Sequence, residues 1–394
     1  MRYSCLFSLN LRALFFLLFF FTNAIYIIKY SSQLKLMVPI ALFLYVFYLI
    51  AIILFVESIL NKFKLSFGLI YFGCVILFTL IFLLIYLKIP PNAYPVDRWS
   101  AITNFNNALM SGKFPYNEFT QLNNPISGLP GLFLIALPFQ LIGDAGLLQI
   151  FTFISFSLIV FHFLKSNENR LITLILLATS PGFLWEILAR SELFSNMCLF
   201  LIFTIMCEKF KNHKTVFNMI LAGIVMGLMF STRLILILPF AIYFFRYFRQ
   251  DEKGLLVLFI VIGAFCFLTT IVPFMVWDYD EALKHNPLSS QINKSPFSIV
   301  AIFLTISVCL GYYCSDFKKY IEFSGVILFL TTFSIFLYNL YLFGWNVTIY
   351  EHRFDISYFQ FSLPYLLLSL FMERDFISQS FIHHFKTLSR PSTV

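Results

Sequence analysis

A polytopic bundle of membrane-spanning α-helices is the fold class this sequence predicts, and three observations predict it. Hydrophobic residues fill 60% of the 394 positions and charged residues only 12%, giving a mean hydropathy of +0.86; soluble domains carry about 25% charged residues. Apolar runs such as LRALFFLLFFFTNAIYIIKY and LSFGLIYFGCVILFTLIFLLIYLKI reach the roughly 20 residues that carry a helix across a bilayer. Segments of about 10 residues with alternating polarity, the mark of a membrane β-barrel, do not occur. The chain therefore reads as all-α, one integral membrane domain over 1–394 with about 12 helices.

In chain order, spans are predicted at 11–30, 37–59, 66–89, 145–164, 170–183, 194–208, 216–232, 234–248, 255–276, 297–314, 321–343 and 357–372. The first has Arg2 ahead of it and Arg12 at its start, but no small-residue cleavage site, so it reads as a retained helix. The segment GLFLIALPFQLIG, near 131–142, is short for a span and is interrupted by Pro138. It suits a re-entrant or tilted half-helix better than a crossing. Between the third and fourth spans runs the longest polar stretch, 90–130, which reads as an external loop able to form short interfacial helices. Its Trp and Tyr residues favour the membrane–water boundary.

Orientation follows from charge. The loops KSNENR, EKFKNHK, RYFRQDEK and SDFKKY, with Arg374, Lys386 and Arg390 in the tail, hold most of the Lys and Arg beyond residue 145. Placed in the cytoplasm, they send SPGFLWEILARSELFSN, WDYDEALKHNPLSSQINKSP and GWNVTIYEHRFDIS to the opposite side. The N-terminal half is not decided by charge. If 131–142 does not cross, the N-terminus is cytoplasmic and Asp97 is external; if it crosses, both flip. The net charge of +8 is explained by helix-end anchoring, and no nucleic-acid partner is implied. The seven cysteines lie mostly in apolar segments with neither CxxC pairs nor metal-ligand spacing, so they read as small hydrophobes.

Ionisable groups are costly at membrane depth, so those held at helix ends on one side are the candidates for chemistry. Asp97 and Arg98 follow the third span. Glu186, Arg190 and Glu192 share a short loop, although Glu186 and Arg190 also have the i,i+4 spacing of a local ion pair. Arg233 ends LAGIVMGLMFSTR with no loop to solvate it, and Glu351, His352, Arg353 and Asp355 precede the last span. Guanidinium groups bind phosphate in a bidentate fork. A nearby carboxylate deprotonates a hydroxyl or holds a divalent cation. Trp99, Asn124 and the other amides and aromatics of 94–124 have the chemistry of sugar contacts. The set suits transfer from a lipid-linked phosphate.

PVDRW after an early helix, NNPISGLPGLFLIALPFQLIGD, the Pro-to-acid segment SPGFLWEILARSELFSN and the Arg-terminated, Gly-containing helix LAGIVMGLMFSTR together resemble the GT-C superfamily of integral membrane glycosyltransferases. The resemblance spans roughly residues 66 to 250. It implies a polyprenyl-phosphate sugar donor and a glycan, lipid or protein acceptor. Catalysis would fall to Asp97, as the base, with Glu192 as accessory carboxylate. Substrate would be held by Arg98, Trp99, Asn124, Arg190, Arg233 and Arg353, with Arg190 and Arg233 near the donor phosphate. The site would face outward from a bacterial inner membrane. Two departures stand out: Asp97 follows the third span where the family has its acid after the first, and Glu192 stands where Asp is commoner, without a DxD pair. The need for a divalent cation is therefore left open. A polysaccharide polymerase or ligase, or a lipid-linked glycan transporter, are the competing classes.

Overall fold

A computed structural model describes residues 2–31, 37–62, 66–210, 215–248, 253–292, 295–351 and 353–372. The tail residues Arg374, His383, His384, Lys386 and Arg390, and His352, lie outside the described residues. Apolar runs with no Pro beyond the first turn become long helices: α1 (Arg2–Ser31), α2 (Val38–Lys62) and α3 (Phe67–Lys88). The polar stretch then folds as α4 (Arg98–Met110), a 3-10 turn at Pro115–Asn117 and a single antiparallel bridge between Phe119 and Pro125. There follow α5 (Pro130–Ile142), α6 (Leu147–Phe163), α7 (Asn167–Ala178), α8 (Pro181–Ala189), α9 (Leu193–Lys209), α10 (Val216–Phe230) and α11 (Ile237–Tyr247). The chain ends in α12 (Lys253–Trp277), α13 (Tyr279–Lys284), α14 (Pro287–Ile292), α15 (Phe297–Tyr313), α16 (Phe317–Ile349) and α17 (Leu363–Phe371).

Among the described residues five helices are long and apolar enough to cross a membrane: Leu11–Ser31, Val38–Val56, Phe67–Lys88, Gly254–Trp277 and Phe317–Ile349. The count rises to seven if the bent pairs α5–α6 and α7–α8 are each one span. The other five predicted spans are helical but of 9 to 17 residues, shorter than the roughly 20 of an average crossing. Pro and polar breaks explain the shortening. Pro181 starts α8 at N1, where its missing N–H costs nothing, and the Ser180 side chain caps the Phe183 N–H at 3.2 Å. Between α5 and α6 the chain turns by 102°, so the two cannot both run along the membrane normal. The 131–142 segment is thus a separate 13-residue helix lying across its successor.

That corner fixes which helix ends meet. The α1–α2–α3 meander brings the C-termini of α1 and α3 to the end that also holds the starts of α4 and α9. Arg98 Nη1 donates to Ser191 Oγ at 3.0 Å, so Asp97 and Glu192 share one end of the bundle. The opposite end carries Arg170, stacked on Phe161 at 4.7 Å, and the Arg246–Glu208 pair with Arg246 over the Phe317 ring at 5.7 Å. Most of the core is one apolar cluster through the bundle. The polar stretch has its own small core, in which Phe105 stacks on Phe133 at 4.0 Å against Phe274 of α12.

Two glycines matter to this architecture. Gly344 takes φ +72° inside α16, a region only glycine enters cheaply, and there the helix breaks, just beyond Asn339, which already lies at the site end. At Gly131 a Cβ would meet Ser231 Cβ at 2.7 Å and the Leu228 carbonyl at 2.8 Å, so only a bare backbone lets α5 dock against the end of α10. The Gly131 N–H donates to Ser231 Oγ at 2.9 Å across that contact.

Candidate functional site

Two adjoining chambers open at the end where α1, α4, α9 and the 353–358 segment converge. The larger, about 550 Å³, is lined by Lys29, Trp185, Asn339, Arg353 and others; the smaller, about 80 Å³, reaches Glu192 and Arg233. Asp97, Arg98, Asp355 and Tyr358 line both.

Asp97 sits just before α4, where the chain leaves Pro95 and turns into the helix. Its backbone carbonyl accepts from the Ala101 N–H at 2.9 Å and from Ser100 Oγ at 2.9 Å. The side chain is thereby left out of the helix. Asp97 Oδ2 accepts from Asn124 Nδ2 at 2.7 Å and Thr120 Oγ1 at 3.2 Å. Asp97 Oδ1 takes no hydrogen bond among the described residues. Asn124 is thus brought to the site as expected from sequence, but as the group that aims the carboxylate.

Arg98 is a strut. Beyond its bond to Ser191, Nη2 donates to Asp355 Oδ2 at 2.5 Å and Ser357 Oγ at 2.9 Å, and the guanidinium lies 5.5 Å from the Tyr358 ring centre. Burial works against its charge, yet Asp355 and Glu192 outweigh that and raise its pKa. Burial likewise pushes the Asp355 carboxyl up, but Arg98 and the hydrogen bonds from Ser357 hold it down at about 2. Both are ionised at neutral pH, and the bond joins the α4 start to the segment before α17. Nη2 of Arg98 is thus spent on the wall, while Nη1 gives one bond, to Ser191.

Glu192, fully buried, pairs through Oε1 with Arg233 Nη2. Burial raises its pKa and the guanidiniums of Arg233 and Arg98 lower it, the net shift being downward. Glu192 Oε2 and Arg233 Nε are buried without a partner. A buried pair with unmet hydrogen-bonding capacity is costly where nothing else satisfies it.

Arg190 and Trp99, expected at the substrate, line neither chamber. Arg190 Nη2 donates to the Tyr86 and Ile89 carbonyls at 2.9 and 3.0 Å, closing the C-terminus of α3, and Nη1 pairs with Asp144 Oδ2 at 2.7 Å. Trp99 Nε1 donates to Asp144 Oδ1 at 2.9 Å. A helix C-terminus leaves orphan carbonyls with negative partial charge, and a guanidinium meets both needs. Arg190, itself in the left-handed region at φ +49°, is a structural clamp. The amides Asn104 and Asn106 likewise hold backbone, donating to the Phe119 carbonyl in the loop and the Phe133 carbonyl of α5.

Arg353 does line the larger chamber, exposed and stacked on Phe343 at 4.6 Å. Asp355, a charge also marked in the sequence, joins it there, as do Lys29, Ser357 and Tyr358, which were not selected from sequence. The D-x-S spacing of Asp355 and Ser357 is a local capping signal, with Ser357 N–H on Asp355 Oδ1 at 3.0 Å, that marks the turn but not its role. Lys29 gave only the weak signal of a lone charge in the last turn of an apolar helix. Among the described residues no three His, Cys, Asp or Glu side chains gather as a metal site.

The arrangement offers one carboxylate with a free oxygen, an adjoining cationic chamber and a second chamber with unmet polar atoms. No family model, curated protein or solved structure matches the chain.

Proposed function

We propose that the protein is a GT-C-like membrane glycosyltransferase that moves a sugar from a polyprenyl-phosphate donor to a glycan, lipid or protein acceptor. In this reading about twelve helices cross a bacterial inner membrane and the two-chamber end faces outward. The observation that carries it is the meeting, at one end of an apolar bundle, of Asp97 with a partner-free Oδ1 and a chamber lined by Lys29 and Arg353. The acceptor hydroxyl attacks the anomeric carbon, its proton passes to Asp97 Oδ1, and the bond from that carbon to the phosphate oxygen breaks. The departing polyprenyl phosphate gains negative charge, which Lys29 and Arg353 offset in the transition state. Arg98 and Asp355 hold the wall between.

The test is transfer itself. The purified protein, reconstituted in liposomes with a panel of polyprenyl-phosphate sugars and membrane-extract acceptors, should transfer label from at least one donor. Asp97→Asn should lower that transfer by about 10²–10⁴-fold at equal protein level. Labelled lipid crossing the bilayer without any glycosyl product, or full transfer by Asp97→Asn, would overturn the reading.

A further inference from the structure

The smaller chamber carries an inference that rests on this reading and sharpens it. Its volume of about 80 Å³ is about half that of a cavity that takes a benzene ring, so it admits one hydroxyl-bearing edge of a sugar whose remainder lies in the adjoining chamber. Most polar atoms on its wall are already committed. Thr120 Oγ1 donates to Asp97 and accepts from the Leu122 and Asn124 N–H groups. Asp355 spends both oxygens on Arg98 and Ser357. What remains is the Tyr358 hydroxyl and Asp97 Oδ1 on the wall, with an acceptor, Glu192 Oε2, and a donor, Arg233 Nε, buried unmatched behind it on two side chains that already neutralise each other.

Charge decides what fits there. A phosphate entering would meet Glu192 in addition to the Asp97 and Asp355 carboxylates that line both chambers, and would lack Lys29 and Arg353, which line the larger one alone. A metal ion would face the guanidiniums of Arg98 and Arg233. A hydroxyl, which donates and accepts at once, meets both unmatched atoms without adding charge. Leu132 and Phe133 on the same wall supply an apolar surface for the C–H face of a ring. We infer that the smaller chamber is a sugar-reading subsite for a neutral, hydroxyl-rich ring, and that Glu192 and Arg233 are its specificity-determining residues. The phosphate is left to the larger chamber, and Asp97 stands on the wall between the two groups it must act on. Glu192 on this view binds and orients sugar and takes no proton, in agreement with its lowered pKa.

Full-length protein in nanodiscs is titrated with methyl glycosides of glucose, galactose, mannose, xylose, rhamnose and N-acetylglucosamine, and separately with inorganic phosphate, by saturation-transfer NMR. At least one glycoside should bind. Glu192→Gln, which keeps shape but loses the anionic acceptor, and Ala101→Leu, which fills the chamber without touching the ion pair, should each weaken it at least tenfold. Phosphate binding should hold in both variants and fall in Arg353→Ala. Absence of binding by every glycoside, binding that survives Ala101→Leu, or loss of phosphate in place of sugar overturns the subsite. If Glu192→Gln fails to fold, Ala101→Leu decides alone. Glycoside binding that depends on Glu192 in a protein that transfers nothing would sink the enzyme reading and leave the subsite. Transfer that needs Asp97 but keeps its sugar selectivity in Ala101→Leu would sink the subsite alone.

Discussion

Helix α9 carries a glutamate at each end, and each meets an arginine from the α10–α11 region. At one end Glu208 gives both oxygens to Arg246, at 2.7 Å each, in a closed fork with Phe317 beneath it. At the other, Glu192 gives one oxygen to Arg233 and leaves the second facing no partner, on the wall of a chamber. The guanidinium Nε is unmatched in both pairs, and what differs is the saturation of the carboxylate. A pair that satisfies its carboxylate is explained by the fold; a pair that stops half way, beside a cavity, asks for something else to complete it. The same contrast separates Arg190, whose donors close the end of α3, from Arg353, which stacks at a chamber mouth. Charge near a membrane helix end does not by itself mark function. Unspent hydrogen-bonding capacity facing a cavity is the better guide.

The contrast breaks most visibly if the closed pair is opened. Glu208→Ala strands a buried guanidinium and should cost about 3–5 kcal/mol, read as a lowered thermal midpoint in detergent. Sugar binding by the protein that remains folded should be unchanged. Glu192→Gln should show the reverse balance: a smaller stability loss, since one carboxylate oxygen is bonded, with glycoside binding weakened. Equal stability losses with equal binding losses would dissolve the distinction. At Gly131 the close approach to α10 predicts a cost of about 1–3 kcal/mol for Gly131→Ala, the usual scale for overpacking, measured in the same melts.

A third effect is pH-dependent. The Asp355 carboxyl lies at about 2 in the folded protein, below its ordinary value. Its contribution to stability is thus fully present above about pH 4. It is lost as pH falls towards about 2. Glu192, shifted in the same direction, adds to that loss. Melts from pH 6 downward should show the decline, and Asp355→Asn should flatten it. The smallest effect concerns Arg353: exposed and stacked, its replacement by Ala should change stability by no more than about 0.5 kcal/mol, while phosphate binding weakens. Sidedness can be read with single cysteines at the exposed positions Asn123 and Glu168, which should label from opposite faces. Labelling from one face would overturn the assignment of the two bundle ends.

The sequence by itself determined the all-helical fold class and the places of the long apolar helices, because desolvating a polar backbone in lipid forces long apolar runs into helices. It also determined that 131–142 stands apart: a short apolar stretch around Pro138 becomes a separate helix, turned 102° from α6. It marked Asp97, Glu192, Arg233 and Arg353 as charges retained at helix ends, and each lines a chamber. What it could not hold is which charges cancel. Arg190 with Asp144 is 46 residues distant along the chain and Arg98 with Asp355 is 257, and such partners are chosen by helix packing, since periodicity along one helix carries no record of its neighbours. Lys29 and Tyr358 are drawn to the site for the same reason, from the two ends of the chain. Only the tertiary structure decided which polar atoms were spent in holding the bundle and which were left over for a ligand, because saturation is a property of neighbours in space.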